Sequence, residues 1–186
     1  MPEYAGTSSD GAILMYTAAG GVTRDIKEAE RRYVGLATPD FEIGWSNYFT
    51  FFNFDANIAL RAVVGGMIMN NTKMIFANPN VLPTYNGLTS VLDEDLNEAP
   101  KNSSYYLEDG TYLKIDNVSI GYTFPTDNLN WLSKFRVYFV ANNLYTFTKY
   151  SGLDPEISYD GLDFGVDKFN VYPRVRSFAF GINATF

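Results

Sequence analysis

Five carboxylate side chains lie close together toward the end of the chain, and they are the first candidates for a chemical site. They are Asp154, Glu156, Asp160, Asp163 and Asp167. Ca²⁺ is a hard cation that binds about six to eight oxygen ligands, so such a run could hold it. The spacing fits no defined calcium loop, and a solvated loop that carries charge explains the same residues. We therefore predict no metal site and expect Asp154 to stabilise a turn.

Three tyrosines and one arginine are the residues that could bind a ligand. Tyr105, Tyr106 and Tyr150 fall in predicted loops, and Arg61 falls on the polar side of a predicted strand. Tyrosine rings can stack on sugar rings or contact a peptide, but aromatic rings also form belts at membrane interfaces. Arg61 could contact a solute or only line a polar interior. These four are the candidate ligand-binding residues, and both explanations stay open for each.

The residue types needed for catalysis are scarce. The chain has no Cys and no His, which removes disulfides, thiol nucleophiles, most zinc sites and the commonest general base. No carboxylate pair, phosphate-binding glycine loop or catalytic triad can be assembled from the rest. The net charge of −7 argues against nucleic acid, which requires a basic surface. We predict that the chain is not an enzyme and binds no cofactor.

The last segment shows the clearest structural pattern. Within 174–186, small or polar residues alternate with a series of apolar ones. The apolar series includes Phe178, Phe180, Ile182 and Phe186. Strict period two with one apolar face is typical of a β-strand.

Four earlier segments alternate in the same way, so the sequence predicts an all-β fold of about five long antiparallel strands. The predicted strands are 41–51, 54–66, 112–124, 135–147 and 174–186. They are about 11 to 13 residues long, whereas soluble strands commonly have about 5–6 and about 9–11 tilted residues cross a bilayer. Aromatic residues make up 17% of the chain and charged residues 19%. Long alternating strands rich in Tyr and Phe indicate part of a transmembrane β-barrel.

One predicted strand contains a break in phase. Leu113 and Ile115 share one phase, whereas Val118 begins the other. One extra residue near Asp116 would restore a common apolar face. We therefore predict a β-bulge within 114–118.

The predicted strands are joined by short turns on one side and long loops on the other. The long loops are 67–111 and 148–173, and residues 1–40 are expected to be the remnant of another. In bacterial outer-membrane barrels the long loops lie outside the cell, so we predict that these segments are extracellular. Within the remnant we expect at most a short strand at 13–17 and a short helix at 24–32.

Two other interpretations remain open from the pattern alone. A soluble β-sandwich, such as a carbohydrate-binding module, predicts shorter strands whose apolar faces meet in one core. A passive outer-membrane pore or structural protein, built by oligomerisation, predicts the same strands without active transport.

Four segments carry motifs that follow one another in the order of a known family. They are 112–125 (YLKIDNVSIGYTFP), 143–156 (NLYTFTKYSGLDPE), 172–178 (YPRVRSF) and, more weakly, 36–45 (LATPDFEIGW). Through these motifs the chain resembles the C-terminal portion of SusC/RagA-like, TonB-linked (TonB-dependent) outer-membrane transporters. The resemblance implies a barrel of about 22 strands around a plug, of which residues 41–186 would be roughly the last quarter.

The resemblance also implies the function and the partners. The chain would be a barrel-wall segment of an importer of glycan or peptide oligomers in the outer membrane of a Gram-negative, Bacteroidetes-like bacterium. Its partners would be the remainder of the barrel and plug, a SusD-like surface lipoprotein, the lipid bilayer and TonB, reached through segments absent here. The alternating residues from Phe178 to Phe186 resemble a terminal assembly strand. The start of the chain lacks the pattern of a signal peptide, so we expect a processed protein or a fragment of a longer one.

Overall fold

A computed structural model describes residues 1–82, 84–93, 95–127, 130–156, 164–168 and 172–186. The elements in chain order are β1 (Tyr4–Thr7), β2 (Ile13–Tyr16), β3 (Val22–Thr23), β4 (Phe41–Phe51), β5 (Phe54–Val64), β6 (Met67–Met69), α1 (Asn71–Phe76), β7 (Leu107–Asp109), β8 (Tyr112–Phe124), β9 (Lys134–Thr148) and β10 (Ser177–Thr185). Short 3-10 turns occupy Pro79–Val81, Thr89–Leu92 and Ser104–Tyr106. Among the described residues, no helix has the length and apolar character needed to cross a membrane.

The chain divides into two compact units. The first, here the sheet unit, contains residues 40–64, 111–148 and 173–186. Its five strands form one antiparallel sheet in the order β10-β9-β8-β5-β4. The predicted all-β fold with five long antiparallel strands is confirmed.

The sheet has one apolar and one polar face because directly opposed residues in antiparallel strands point the same way. Leu60 of β5 lies between Trp45 of β4 and Ile115 of β8, for example. Phe139 of β9 lies between Ile120 of β8 and Phe180 of β10. The period-two pattern of every strand therefore merges into a single apolar surface, the apolar face. The intervening residues form the polar face.

The apolar face is not the buried core of a sandwich. Its large side chains remain exposed: Phe49 is 53% and Phe180 is 82% accessible. Neighbouring rings pack side by side along the surface, as Phe139 does with Phe178 at 6.0 Å and Phe180 at 4.8 Å between ring centroids. A soluble sandwich would bury these rings between two sheets. The exposed face is evidence against the sandwich interpretation.

The predicted extra residue of β8 is present opposite β5. Ala59 pairs with Asn117 and Leu60 with Ile115, so Asp116 has no partner residue in the β5 register. The β8–β9 register shifts at the same place, where Asn143 and Leu144 of β9 face Asp116. This irregularity restores the common apolar face that the phase break required. Asn143 adopts a positive φ of 50°, a conformation tolerated by Asn but strained for most residues.

Three strands differ from the sequence prediction at their ends. β5 ends at Val64 rather than at residue 66, because Gly65 and Gly66 adopt φ values of 78° and 80° that leave the extended conformation. β9 is longer by one residue at each end. β10 begins at Ser177 rather than at 174, and the Asn143 side chain donates to the Val175 carbonyl oxygen at 3.0 Å in place of a ladder bond.

The second unit, here the loop unit, contains the described residues of 1–39, 65–110 and 149–172. It holds a small antiparallel sheet of β1, β2 and β3, a β6–β7 ladder, and α1. Asn70 caps α1 by accepting a hydrogen bond from the Lys73 backbone N–H at 2.8 Å. A buried apolar cluster holds these pieces together, and it consists of Ile13, Met15, Met69, Leu96 and Tyr106.

The expected short helix at 24–32 is wrong. The Thr23 hydroxyl accepts from the Asp25 N–H at 3.1 Å, and the Asp25 carboxylate accepts from the Lys27 N–H at 2.8 Å. These local bonds favour turns over a helix. The segment forms turns and an isolated bridge between Thr17 and Ala29.

The bulge predicts a difference between two substitutions at Asn143. Both Asn143→Gly and Asn143→Val lose the side-chain bond to Val175. Only Val adds the strain of a β-branched residue at positive φ, which is about 1–2 kcal/mol. Asn143→Val should therefore have a free energy of unfolding lower than that of Asn143→Gly by this amount, measured by equilibrium denaturation. Equal stability of the two variants would show that the bulge does not require a left-handed residue.

Candidate functional site

The polar face of the sheet unit is the first candidate, because its charged and amide side chains contact one another across several strands. Every second residue of each strand contributes to it. Its main members are Tyr48, Asp55, Asn57, Arg61, Lys114, Asn117, Ser119, Arg136, Tyr138, Asn142 and Ser177.

Two ion pairs cross the polar face. Arg136 of β9 donates to both carboxylate oxygens of Asp55 on β5, at 2.8 Å from Nε and 2.5 Å from Nη2. Arg61 donates to both oxygens of Asp116, the bulged residue of β8, at 3.0 and 3.1 Å. Bidentate guanidinium–carboxylate pairs have a defined geometry, so both fix the relative positions of strands. The candidate residue Arg61 therefore helps to hold β5 and β8 in position within the sheet.

A row of side-chain hydrogen bonds runs between the two ion pairs. The Asn57 amide donates to Asn117 at 3.2 Å, Asn117 to Asn142 at 2.7 Å, and Asn142 to the Ser177 hydroxyl at 3.2 Å. The row crosses β5, β8, β9 and β10. Amide and hydroxyl groups that bond to one another in this way suit a surface that faces water or other polar groups, not hydrocarbon.

A groove of about 530 Å³ lies at the end of the polar face near the β4–β5 turn. It is lined by Tyr48, Thr50, Phe52, Asn53, Phe54, Asp55, Ser119, Thr123, Lys134 and Arg136. Most of this lining is hydroxyl, amide or charged. The groove could therefore hold a polar group or ordered water.

The candidate tyrosines of the loop unit mostly serve its packing. Tyr106 is 2% and Tyr150 is 5% exposed, so both rings are buried in this structure. Tyr106 belongs to the apolar cluster, and the Tyr150 hydroxyl donates to Asp167 at 2.9 Å. Tyr105 is partly exposed and packs edge-on against Tyr4 and Tyr106, at 4.9 Å in each case. The sequence missed this because burial of loop residues depends on distant segments.

The carboxylates near the end of the chain lie apart from any metal-binding arrangement in the part that the structure describes. No group of three or more His, Cys, Asp or Glu residues placed to hold a metal ion occurs among the described residues. Asp160 and Asp163 lie outside those residues. Asp154 accepts a hydrogen bond from the Glu156 N–H at 3.0 Å, which is the turn expected from the sequence.

A smaller cavity of about 160 Å³ lies in the loop unit. It is lined by Asn70, Thr72, Lys73, Leu88, Ser90, Ser151, Gly152 and Leu153. Two of these residues bond to the Glu108 carboxylate, which accepts hydrogen bonds from the Asn70 amide at 3.0 Å and from the Ser151 hydroxyl and N–H, both at 2.7 Å. Sequence reasoning did not single out these residues, because their proximity joins segments far apart in the chain.

Burial of Tyr150 predicts a measurable role for its hydroxyl. Burial raises the pKa of the phenol well above its ordinary value, and the Asp167 carboxylate adds to the shift. Tyr150→Phe should lower the free energy of unfolding by about 1–3 kcal/mol, because Asp167 loses a donor in a buried place. Tyr33→Phe, at a side chain 77% exposed, is the matched control and should change little.

The Tyr150–Asp167 pair also makes the free energy of unfolding depend on pH. A raised folded-state pKa means that the contribution of Tyr150 is full below the unfolded value of about 10 and is lost as the pH rises through the folded value. The stability difference between the unmodified protein and Tyr150→Phe should therefore shrink above about pH 10. Urea unfolding at pH 8 and pH 11 measures this, and a difference that grows with pH would contradict the assignment.

Comparison with known proteins places the sheet and its loops among transport receptors. No protein-family model matches the chain. The TonB-dependent receptor P3 of Formosa agariphila is 32% identical over 98% of the chain and 20% of that receptor. The TonB-dependent receptor SusC of Bacteroides thetaiotaomicron is 28% identical over 79% of the chain and 15% of that receptor.

Solved structures agree with the sequence matches. A chain of the RagAB peptide importer in its closed-closed state superposes on the whole chain with a TM-score of 0.82 and 27% identity, and 22% of that importer chain is covered. The open-open state gives a TM-score of 0.78 with 26% identity. The chain thus spans about a fifth of the length of these relatives. With its exposed apolar face, its polar face and its motifs, the chain belongs to the SusC/RagA-like family of TonB-dependent receptors.

Proposed function

We propose that the chain forms part of the wall and outer loops of a TonB-dependent importer in the outer membrane of a Gram-negative, Bacteroidetes-like bacterium. The observation that carries this proposal is the sheet itself. Its strands are 9 to 15 residues long, and one face is continuously apolar and exposed while the other is polar and internally bonded. About 9–11 tilted residues cross a bilayer, so strands of this length suit a membrane wall.

The apolar face would contact lipid. Aromatic rings are frequent at both ends of its strands, as with Phe54 and Tyr122 at one end, 4.6 Å apart, and Tyr145 and Phe147 at the other, also 4.6 Å apart. Aromatic girdles at both interfaces are a feature of outer-membrane barrels. Lipid is therefore the environment that matches the exposure of these side chains.

The polar face would line the interior of the barrel. Asp55, Arg61 and Arg136 are charged groups that hydrocarbon would not accept, and each is paired on this face. The remainder of the barrel and the plug of the same protein would complete the interior. Energy would come from TonB through segments that lie outside this chain.

The loop unit would face the exterior and take part in substrate capture. The relatives include a peptide importer, and the family resemblance extends to glycan uptake, so the proposed substrates are glycan or peptide oligomers. A SusD-like surface lipoprotein is the proposed partner. Tyr105, as the partly exposed member of the candidate tyrosines, is the ring that best fits ligand contact in the loop unit.

The last strand would serve as the terminal assembly strand. Phe178, Phe180, Ile182 and Phe186 are more than half exposed, and the three that lie within β10 project from its apolar face. Only one edge of β10 is paired within the described residues, to β9. An open strand edge is a template for another strand, which suits both assembly and closure of a barrel.

Active import distinguishes this function from a passive pore. In the bacterium that produces the receptor, deletion of its gene should abolish growth on one class of oligomer, supplied either as peptides or as oligosaccharides. Depletion of TonB should have the same effect, and the receptor should copurify with a surface lipoprotein. Uptake that continues after TonB depletion would favour the passive pore.

The proposed membrane face predicts unequal effects of arginine at neighbouring positions. Leu60 lies on the apolar face and Asn57 on the polar face of β5. In the full-length receptor reconstituted in lipid, Leu60→Arg should lower the free energy of unfolding by about 2–4 kcal/mol if it lies near the midplane. Asn57→Arg should have a much smaller effect, because it loses one side-chain bond and stays in polar surroundings. Equal effects would contradict the orientation of the sheet.

A further inference from the structure

Two glycines of the polar face lie directly beneath the ends of neighbouring side chains, which an added side chain would have to displace. A Cβ added to Gly121 of β8 would lie 2.6 Å from Cζ of Arg136, and one added to Gly181 of β10 would lie 2.6 Å from Cε1 of Tyr138. Gly44 of β4 is on the same face, opposite Arg61, yet has no atom within 4 Å of the equivalent position. The space above Gly121 and Gly181 is therefore filled by neighbouring side chains.

Neither glycine is required by the backbone. The positive-φ glycines lie elsewhere in the chain, so Gly121 and Gly181 adopt conformations open to any residue. Their contribution to the structure is therefore that they have no side chain.

The space over Gly121 allows Arg136 to reach across a strand. Arg136 is on β9 and its partner Asp55 is on β5, with β8 between them. Neighbouring strands are about 4.8 Å apart, so this pair spans about 10 Å. Gly121 lies directly opposite Asp55, and the guanidinium passes over it.

Tyr138 occupies the space on the other side of Arg136. Its ring lies over Gly181 of β10, and the Arg136 guanidinium sits 4.9 Å from the ring centroid. Tyr138 also lies directly opposite both Gly121 and Gly181. Asp55, Arg136 and Tyr138 thus form a continuous contact across β5, β8, β9 and β10.

This contact distinguishes between strand registers that the alternation of apolar and polar residues cannot tell apart. A slip of one residue turns every side chain to the wrong face, so the apolar pattern excludes it. A slip of two residues keeps both faces. For β8 it would bring Ser119 or Thr123 under the arginine, and for β10 it would bring Ala179 or Asn183 under the tyrosine.

We propose that Gly121 and Gly181 fix the registers of β8, β9 and β10 by receiving the side chains of Arg136 and Tyr138. In the native register the lack of a side chain at these two positions leaves room for the guanidinium and the ring as they lie. Each of the two-residue slips puts a Cβ into the space that the guanidinium or the ring occupies. The Arg136–Asp55 pair then forms only in the native alignment.

Valine substitutions in the full-length receptor test this role. The variants are Gly121→Val and, as the matched control, Gly44→Val on the same face. The folded-to-unfolded ratio of the receptor in outer membranes should fall by roughly 5- to 30-fold for Gly121→Val, because the added side chain overpacks the site. Gly44→Val should stay near the unmodified ratio. Equal losses in both variants, or no loss in either, would overturn the proposal.

A second variant separates the register effect from a general failure to fold. Adding Arg136→Ala to Gly121→Val empties the space above position 121, so the double variant should recover much of the folded fraction lost by Gly121→Val alone. Such recovery is a coupling between the two sites. A double variant as poorly folded as Gly121→Val, or worse, would contradict the proposal.

Paired cysteines report the register directly. Ser119 and Val140 face each other between β8 and β9, and this part of the receptor has no cysteine of its own. In a receptor free of other cysteines, Ser119→Cys with Val140→Cys should form a disulfide efficiently. Adding Gly121→Val should reduce that yield and raise the yield of a pair spaced for a two-residue slip, Ser119→Cys with Asn142→Cys. An unchanged native yield in folded Gly121→Val protein would refute the register role.

Discussion

A backbone N–H or C=O group in hydrocarbon has no water to bond, and each one left unpaired costs several kcal/mol. This constraint accounts for most features of the sheet unit. The strands are long because pairing must continue across the whole apolar layer. They alternate because one face of each strand is apolar and suits hydrocarbon, while the other carries polar groups that bond to one another. The irregularity at Asp116 occurs where the phase of β8 changes, and β9 accommodates it with Asn143 in a left-handed conformation.

Because apolar and polar residues alternate with a period of two, the sheet unit could be predicted from the sequence. Alternation identified the five strands, their faces and the bulge, because each of these depends on the spacing of residues within one strand. Strand ends were less accurate. β5 stops at Gly65 and Gly66 because of their backbone conformation, and β10 starts late beside a side-chain bond from Asn143. Both endings depend on local geometry that alternation does not encode.

The loop unit was harder to predict because its order comes from contacts between distant segments. Tyr106 packs with Ile13 and Met15, and Tyr150 bonds to Asp167. The local sequence does not show whether a loop tyrosine is exposed or is buried in the apolar cluster. The candidate Arg61 was placed on the correct face, but its partner Asp116 could be named only once the bulge had set the register. Arg136 and Asp55 lie even farther apart, on strands that are not neighbours, so their pairing requires the complete strand order.

The free energies involved differ between the interactions that set the alignment of the strands and those that stabilise the sheet. The side chains of the two ion pairs on the polar face are 15–35% exposed, so the cost of desolvation offsets much of their attraction and they add little to the free energy of folding. The outer edges of β4 and β10 have no strand partner among the described residues. Unpaired groups along two such edges in lipid would cost several kcal/mol each, far more than all the side-chain pairs of the polar face. Pairing these edges with further strands of a barrel would therefore matter more for stability than the side-chain pairs, whose proposed role is to select the alignment.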